Sequence, residues 1–323
     1  MKKGIFCIGE ALVDFVAMGK SGRLLEAEAF KPCAGGAPAN VAVAIARLGG
    51  DAGLVSCVGE DVWGDFLCEV FEREGVDVRG IQRTDRASTT QAFVSLDEDG
   101  DRDFSFVRCP GADTLLDGTR LESDCFDSCS ILHFGTFSLS SEPSRAATLE
   151  AIRRVKEAAG LISLDVNYRE GIWASEDEAI RWVESILPLV DILKVSLEEL
   201  RLLTGMEDRR AAVKRLMGKG PRIALVSLDS EGCLCANHLA RFDVSAFPAR
   251  CVDATGAGDS FMGAFLHRFV ELEFPFDDVD KLEDACTFAC AAASVTVSGY
   301  GAIPSLPTRE EVLAKLSSEL VDL

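Results

Sequence analysis

The sequence has little positive charge and no long hydrophobic run. Its 323 residues carry 33 Lys and Arg against 53 Asp and Glu, giving a formal net charge of −20 and a pI of about 4.6. Such an excess of negative charge repels nucleic-acid backbones and anionic membrane surfaces, so we expect neither as a partner. The longest apolar stretch, residues 285–297, is too short to span a bilayer.

Zinc-type ligand spacing is also absent. The 12 cysteines are scattered without a Cys-x-x-Cys pair, and there are only three histidines. We interpret the cysteines as small, reduced core residues. The apolar run at residues 4–13 contains Glu10 and is followed by Asp14, which favours a buried strand over a signal peptide. A cytoplasmic location is therefore expected.

Short apolar segments alternate with helical patterns in most of the chain. This alternation is typical of an α/β fold with a doubly wound, mostly parallel sheet, whose ligands gather at the carboxyl ends of the strands. Beyond the strand at residues 4–13, we predict strands at 131–134, 161–166, 192–195 and 223–227, and helices at 144–159, 175–186, 197–204 and 209–218.

Two segments interrupt the alternation. Residues 89–96 and 102–108 alternate apolar and polar side chains around an acidic turn at 97–100, which predicts a hairpin of half-exposed strands. We therefore predict a small β-sheet lid formed by residues 15–33 and 87–113. The lid is inserted into a large domain formed by residues 1–14, 34–86 and 114–323.

The most informative stretch is the loop that runs from Asp253 to Asp259. Gly256 and Gly258 bracket Ala257, Asp259 follows at once, and an apolar run without proline predicts a helix that begins here. The uncovered N–H groups and the helix dipole favour an anion such as phosphate. Asp259 would accept a proton from a hydroxyl that attacks this phosphate. A glycine-rich turn capped by Asp is the alternative.

Polar residues elsewhere fit the same site. Gly35 and Gly36 open an Ala-rich helix with Asn40 in its first turn, and Asp14 follows the first strand. Arg169 suits a phosphate and Glu199 a hydrated Mg²⁺, although singly each also fits a surface salt bridge.

Two of these segments, Gly35-Gly36 to Asn40 and Asp253 to Asp259, resemble the ribokinase-like (PfkB) sugar kinases, and the match runs nearly end to end. Within that family the chain is most similar to fructokinases. The supporting details are Gly9-Glu10 with Asp14, Phe106-Val107-Arg108, Asp165 to Arg169 with Trp173, Lys194-Val195-Ser196, and the tail Gly301 to Thr308.

The resemblance implies a role for each matching residue. Asp259 would be the catalytic base, and the N–H groups of Gly256, Ala257 and Gly258 would stabilise the transferred phosphoryl group. The sugar would be held by Asp14, Gly35, Gly36 and Asn40, with Phe106 and Arg108 from the lid. ATP would be flanked by Asn167, Arg169, Lys194, Ser196, Ser227, Gly232, Gly256, Gly258 and Cys290. Glu199 would organise Mg²⁺ through water, and family members often respond to a monovalent cation such as K⁺ near the position of Asp253.

Two departures affect the nucleotide side. Asp229 replaces the first glycine of the loop between Ser227 and Gly232, and Cys290 stands where many relatives have Asn. The expected activity is ATP-dependent phosphorylation of a sugar hydroxyl, most of all the 6-hydroxyl of D-fructose. The alternatives are a kinase for 2-keto-3-deoxygluconate, ribose or a nucleoside, and a non-catalytic sugar-binding regulator of the same fold. A Rossmann-type dehydrogenase is excluded because the third glycine of its fingerprint is replaced by Phe261.

The half-apolar lid strands, through residues such as Phe93, Val94 and Phe106, need a cover on one face. We therefore predict a homodimer that forms through the lid, as in several members of the family that the chain resembles.

Overall fold

The computed structural model describes residues 4–19, 22–96, 102–127 and 129–319. Two separate sheets account for the described strands. The strands are β1 (Gly4–Ile8), β2 (Leu12–Ala17), β3 (Phe30–Gly35), β4 (Ala52–Gly59), β5 (Asp77–Thr84), β6 (Gln91–Leu96), β7 (Arg102–Val107), β8 (Cys129–Gly135), β9 (Leu161–Asp165), β10 (Ile192–Ser196), β11 (Ile223–Ser227), β12 (Gly232–Ala236) and β13 (Arg241–Ser245).

The larger sheet has nine strands in the order β13-β12-β11-β10-β9-β8-β1-β4-β5. Its strands run parallel from β5 to β11, and β12 and β13 add two antiparallel strands at one edge. The predicted doubly wound, mostly parallel sheet is therefore confirmed. All parallel strands point their carboxyl ends toward the same edge, where the predicted site residues follow them.

Helices cover both faces of this sheet. They are α1 (Ala37–Arg47), α2 (Val62–Arg73), α3 (Ser123–Asp127), α4 (Ser144–Glu157), α5 (Glu176–Ile186), α6 (Leu197–Thr204), α7 (Arg209–Met217), α8 (Ala257–Glu271), α9 (Val279–Thr296), α10 (Ala302–Ser305) and α11 (Arg309–Glu319). One apolar core contains the buried residues of α1, α8 and α9, and a second contains those of α4 to α7. In the described ranges, no helix combines the length and apolar character needed to cross a membrane.

The smaller sheet has the order β3-β2-β6-β7, with β2 parallel to β6 and the other pairs antiparallel. Its strands fall close to the segments predicted for the lid, and the division of the chain into domains stays a prediction. The turn predicted at residues 97–100 lies outside the described residues. Leu12, Asp14, Ala92 and Phe106 lie on the face of this sheet that borders the site.

One strand prediction was wrong. Residues 4–13 do not form a single strand: β1 belongs to the large sheet and β2 to the small one. The chain changes sheet at Gly9, whose φ of +151° suits glycine and where an added Cβ would lie 2.7 Å from Pro38 Cγ. Asp14 is consequently the third residue of β2, and not the residue after the first strand of the large sheet. The apolar character of both segments hid the break.

Candidate active site

The loop before α8 has the conformation that its glycines allow. Gly256 is the N-cap of the helix with φ +79°, and a Cβ there would lie 2.8 Å from Ala302 Cβ. The first turn of a helix leaves N–H groups without helical partners. The N–H of Ala257 already donates to the carbonyl of Ala254 at 3.2 Å. Gly256 and Gly258 are therefore the stronger candidates for binding a phosphoryl group.

Asp253 fixes this loop to the chain before α10. Its Oδ1 accepts from the N–H and hydroxyl of Thr255 at 2.8 and 2.6 Å, and its Oδ2 accepts from the N–H of Gly301 at 2.9 Å. Within the described ranges, no group of three or more His, Cys, Asp or Glu side chains is arranged to hold a metal ion. The monovalent cation near Asp253 stays a prediction.

Asp259, in the first turn of α8, meets Asn40 from the first turn of α1. The Nδ2 of Asn40 donates to Asp259 Oδ2 at 2.8 Å. Burial raises the pKa of Asp259 and the charge of Asp165 adds to this, whereas the bond from Asn40 and the cations Lys194 and Arg169 lower it; the net direction is upward. A carboxylate with a raised pKa is a stronger proton acceptor, which suits a general base.

Two cavities meet at Asp259. The smaller, of about 100 Å³, is lined by Glu10, Leu12, Asp14, Gly36, Ala37, Asn40, Ala92, Phe106, Gly135, Phe137, Asn167, Arg169, Thr255, Gly256 and Asp259. The larger, of about 430 Å³, is lined by Asn167, Tyr168, Arg169, Lys194, Ser196, Glu198, Glu199, Leu202, Ala254, Gly256, Gly258 and Asp259. We call them the acceptor cavity and the nucleotide cavity. A base where a small cavity meets a larger one can take a proton from a molecule in the first while a group arrives from the second.

The glycine pair shapes the acceptor cavity. A Cβ on Gly35 would lie 2.2 Å from Asp14 Oδ2, and one on Gly36 would lie 2.4 Å from the carbonyl oxygen of Glu10. Only glycines therefore leave room for these oxygens. Asn40 is 5% exposed, and its Oδ1 has no hydrogen-bond partner among the described residues. Because a buried polar atom is costly to leave unpaired, this oxygen is suited to accept from a ligand hydroxyl.

Arg108 does not line the acceptor cavity as it stands. Its Nε and Nη2 donate to Asp113 Oδ2 at 2.9 and 2.6 Å, and its guanidinium carbon lies 4.2 Å from the centre of the Phe137 ring. The side chain is 10% exposed. Its predicted contact with sugar would require a rearrangement and stays a prediction, whereas Phe106 does border the cavity.

The nucleotide cavity contains a buried cation. Lys194 Nζ donates to Asp165 Oδ2 at 2.8 Å and would lie 3.1 Å from a Cβ on Gly258. Burial lowers the pKa of Lys194, but the charges of Asp165, Glu199 and Asp259 together raise it further, so the net shift is upward. The ammonium group of Lys194 therefore stays charged beside the loop that runs from Asp253 to Asp259.

Glu199 joins two strand ends at the rim of this cavity. Its Oε2 accepts from the N–H of Ser196 at 2.7 Å in a capping box of α6, and its Oε1 accepts from the N–H of Tyr168 at 2.6 Å. Both oxygens of Glu199 already accept one hydrogen bond, and each keeps a further lone pair. A water molecule bound to Mg²⁺ could donate to such a lone pair, so Glu199 suits Mg²⁺ held through water better than it suits direct coordination of the ion.

The remaining predicted nucleotide residues are divided. Asn167, with φ +40°, and the exposed Arg169 border both cavities, and Ser196 borders the larger one. Ser227 pairs with Ser196 in the register of β10 and β11, and Gly232 begins β12; neither lines the acceptor cavity or the nucleotide cavity. Cys290 is 5% exposed, with its Sγ 3.9 Å from that of Cys233. A nucleotide contact of these three residues stays a prediction.

Sequence reasoning assigned no role to several lining residues, including Glu10, Phe137, Thr255 and Tyr168. Thr255 lies inside the loop from Asp253 to Asp259, and Tyr168 adjoins Asn167, so position along the chain could have indicated both. Phe137 follows β8, but its apolar side chain gives no sign in the sequence that it lines a ligand cavity. Glu10 belongs to the segments that carry the family resemblance, but an apolar run gives no direction for its side chain.

Known proteins resemble this chain along almost its whole length. The pfkB family carbohydrate kinase profile matches residues 2–309. A curated protein, fructokinase-1 of rice (Oryza sativa subsp. japonica), is 42% identical over 97% of this chain and 98% of its own. The structure of a fructokinase from Xylella fastidiosa with bound ATP superposes with a TM-score of 0.90 at 34% identity, covering 99% of this chain and 100% of its own. A double mutant of a fructokinase from Vibrio cholerae O395, bound to fructose, ADP and potassium, gives 0.87 at 31% identity, with 98% of each chain covered.

Proposed function

The chain belongs to the pfkB family of carbohydrate kinases and is a sugar kinase; we propose that it transfers the γ-phosphoryl group of ATP to the 6-hydroxyl of D-fructose. The observation that carries the proposal is Asp259 at the junction of the acceptor and nucleotide cavities. Fructose and ATP are supported by the fructokinases among the relatives, which include structures with ATP bound or with fructose and ADP bound.

The proposed reaction is an in-line transfer without a covalent enzyme intermediate. Asp259 accepts the proton of the attacking hydroxyl while Asn40 holds the carboxylate in place. The N–H of Gly258 and the ammonium of Lys194 stabilise the charge on the transferred group, and Arg169 lies where both ligands meet. Glu199 would hold Mg²⁺ through water, and the ion would neutralise further phosphate charge.

The charge around the acceptor cavity supports a neutral sugar. Three carboxyl groups, Glu10, Asp14 and Asp259, border it. The nearby cation of Arg108 is already bound to Asp113. A carboxylate such as that of 2-keto-3-deoxygluconate would meet the acidic groups of Asp14 and Asp259 without a free partner in Arg108. Arg169, the cation that also lines the cavity, is assigned here to the phosphate groups, which favours fructose over that acid. Ribose and nucleosides are neutral, so they stay as alternatives.

The catalytic contacts favour an enzyme over a non-catalytic regulator. Asp259 keeps its bond from Asn40, and Lys194 keeps its bond to Asp165 beside the glycine loop. Neither departure on the nucleotide side, Asp229 or Cys290, borders the junction of the two cavities.

We also propose a homodimer that forms through the lid. Phe15, Phe30 and Phe93 form a half-buried aromatic group on the small sheet, with ring centroids of Phe15 and Phe93 5.0 Å apart. Aromatic surface of this kind is enriched at interfaces. Sedimentation at micromolar concentration is expected to give a dimer, and a monomer that persists there would refute the proposal.

The activity is tested by ADP release with Mg-ATP against fructose, ribose, 2-keto-3-deoxygluconate, adenosine and glucose. Fructose is expected to give the highest kcat/KM. The Asp259→Asn variant is expected to lose about 10²- to 10⁴-fold in kcat while it still binds ATP, because only the proton acceptor is removed.

The matched control is Asp284→Asn, which makes the same chemical change at an exposed carboxylate bonded to Arg268. It is expected to keep wild-type turnover. Turnover with a different acceptor would replace the proposed substrate. Silence on every acceptor together with a lack of ATP binding would favour the non-catalytic alternative, and near-normal turnover of Asp259→Asn would remove Asp259 from the role of base.

A further inference from the structure

Glu10 lies where the chain leaves the large sheet for the small one, and it borders the acceptor cavity. Its Oε1 accepts from the N–H of Ala37 at 3.1 Å, at the first residue of α1. The side chain thereby bridges the β1–β2 junction and the start of the helix that carries Asn40. This contact holds one oxygen of the carboxyl group, Oε1, at the start of the helix.

The second oxygen of this carboxyl group lacks a partner. Glu10 is 5% exposed, and its Oε2 has no hydrogen-bond partner among the described residues. Buried polar atoms in folded proteins are nearly always paired with protein, water or ligand. Since the residue lines a cavity, the missing partner is expected to come from what the cavity holds.

Neighbouring charges do not supply that partner. Arg108 and Asp113 face Glu10 from the end of the small sheet and the segment after it, but they are bonded to each other. The pKa of Glu10 is raised to about 8: burial has the largest effect and the charge of Asp113 adds to it, whereas backbone N–H groups and Arg108 lower the pKa by less than burial raises it. The carboxyl group can thus be protonated or ionised near neutral pH. A hydroxyl group can donate or accept, so it pairs with either form.

We propose that Glu10 Oε2 hydrogen-bonds one hydroxyl of the acceptor sugar, which makes Glu10 a specificity-determining residue of the acceptor cavity. The inference rests on the proposed function. Glu10 would bond this hydroxyl from the part of the cavity wall where the start of α1 meets the β1–β2 junction. Sugars that lack this hydroxyl would leave a buried oxygen unpaired and would be discriminated against.

The test compares wild type, Glu10→Leu and Glu10→Gln with fructose and with a series of analogues that each lack one hydroxyl. Leu is close to Glu in size but has no group that can hydrogen-bond a hydroxyl. Gln keeps an oxygen for the N–H of Ala37 and an amide that can bond the hydroxyl, so it is the matched control and is expected to stay closer to wild type. We expect kcat/KM for fructose to fall about tenfold in Glu10→Leu, mainly through KM. For one analogue, the one without the hydroxyl that Glu10 contacts, the loss in Glu10→Leu should be several-fold smaller than for fructose.

A purely structural role would give a different pattern. If Glu10→Leu lowers kcat/KM by the same factor for fructose and for every analogue, or changes none of them, the inference is overturned while the kinase activity stands. Glu10→Asp withdraws the carboxyl group by one methylene and is expected to show the same selective pattern, and it serves if the Leu variant does not fold.

The wild-type measurement separates this failure from that of the proposed function. If the wild type phosphorylates another sugar, the series is made from deoxy analogues of that sugar. If it phosphorylates none, the proposed function and this inference fall together.

Discussion

Replacing Lys194 by Met separates the stability of the nucleotide cavity from its function. Lys194 and Asp165 are 7% and 2% exposed and share one bond of 2.8 Å. Met fills a similar volume but leaves the carboxylate of Asp165 buried and without its cation. Asp165 Oδ1 already lacks a partner among the described residues, so the protein offers little compensation.

The expected loss follows from this burial. Removing one partner of a buried ion pair costs about 3–5 kcal/mol because the remaining charge is uncompensated. With a urea m-value of about 3 kcal/mol/M, the midpoint of unfolding should fall by about 1–1.7 M. ATP affinity should also fall, because the ammonium beside Gly258 is lost.

The control is the double variant Lys194→Met with Asp165→Asn, which removes the buried charge as well. It should recover most of the midpoint in urea but not the affinity for ATP measured by calorimetry. A single variant as stable as wild type would refute the reasoning about the buried pair. Recovery of ATP affinity in the double variant would show that Lys194 acts on the fold and not on the nucleotide.

Two further predictions concern the base and its loop. Gly256→Ala should destabilise the protein and lower kcat, because φ is +79° and the new Cβ would lie 2.8 Å from Ala302 Cβ. The control Gly49→Ala has φ +90° but no atom within 4 Å of the new Cβ, so it should show only the smaller loss of stability that backbone strain causes. Equal losses of stability in the two variants would contradict a collision with Ala302. Asn40→Ala removes a hydrogen bond that lowers the pKa of Asp259, so the pKa of Asp259 should rise and the acid limb of the pH profile of kcat/KM should move to higher pH. An acid limb that stays in place would show that Asn40 does not tune the pKa of the base.

The loop around Asp259 could be predicted from sequence because its chemistry is local. Gly256, Gly258 and Asp259 are nearly consecutive, and the helix that follows fixes their direction. The same holds for the alternation of strands and helices, since the spacing of apolar residues within each segment indicates its own secondary structure. Predictions that depended on adjacent residues therefore agree with the structure.

Predictions that depended on the choice of partner did less well. The apolar run at residues 4–13 has no signal for a change of sheet, so Asp14 was placed at the wrong point of a strand and the direction of Glu10 was not accessible. From sequence alone, Arg108 could pair either with an acidic side chain of the protein or with a substrate. The structure pairs it with Asp113. Pairing across sheets is decided by tertiary packing, which a single sequence does not display.

The passage from β1 to β2 has a mechanical consequence. The chain enters the small sheet through residues 9–11 and returns through Gly35 and Gly36, and both passages form the wall of the acceptor cavity. Arg108 and Asp113 are bonded to each other after β7, where they face Glu10. Since these passages belong to both the cavity wall and the connection between the sheets, a rotation of the small sheet about them would change the shape of the acceptor cavity. A ligand that fills the acceptor cavity would in turn favour one angle of the small sheet without touching its far end.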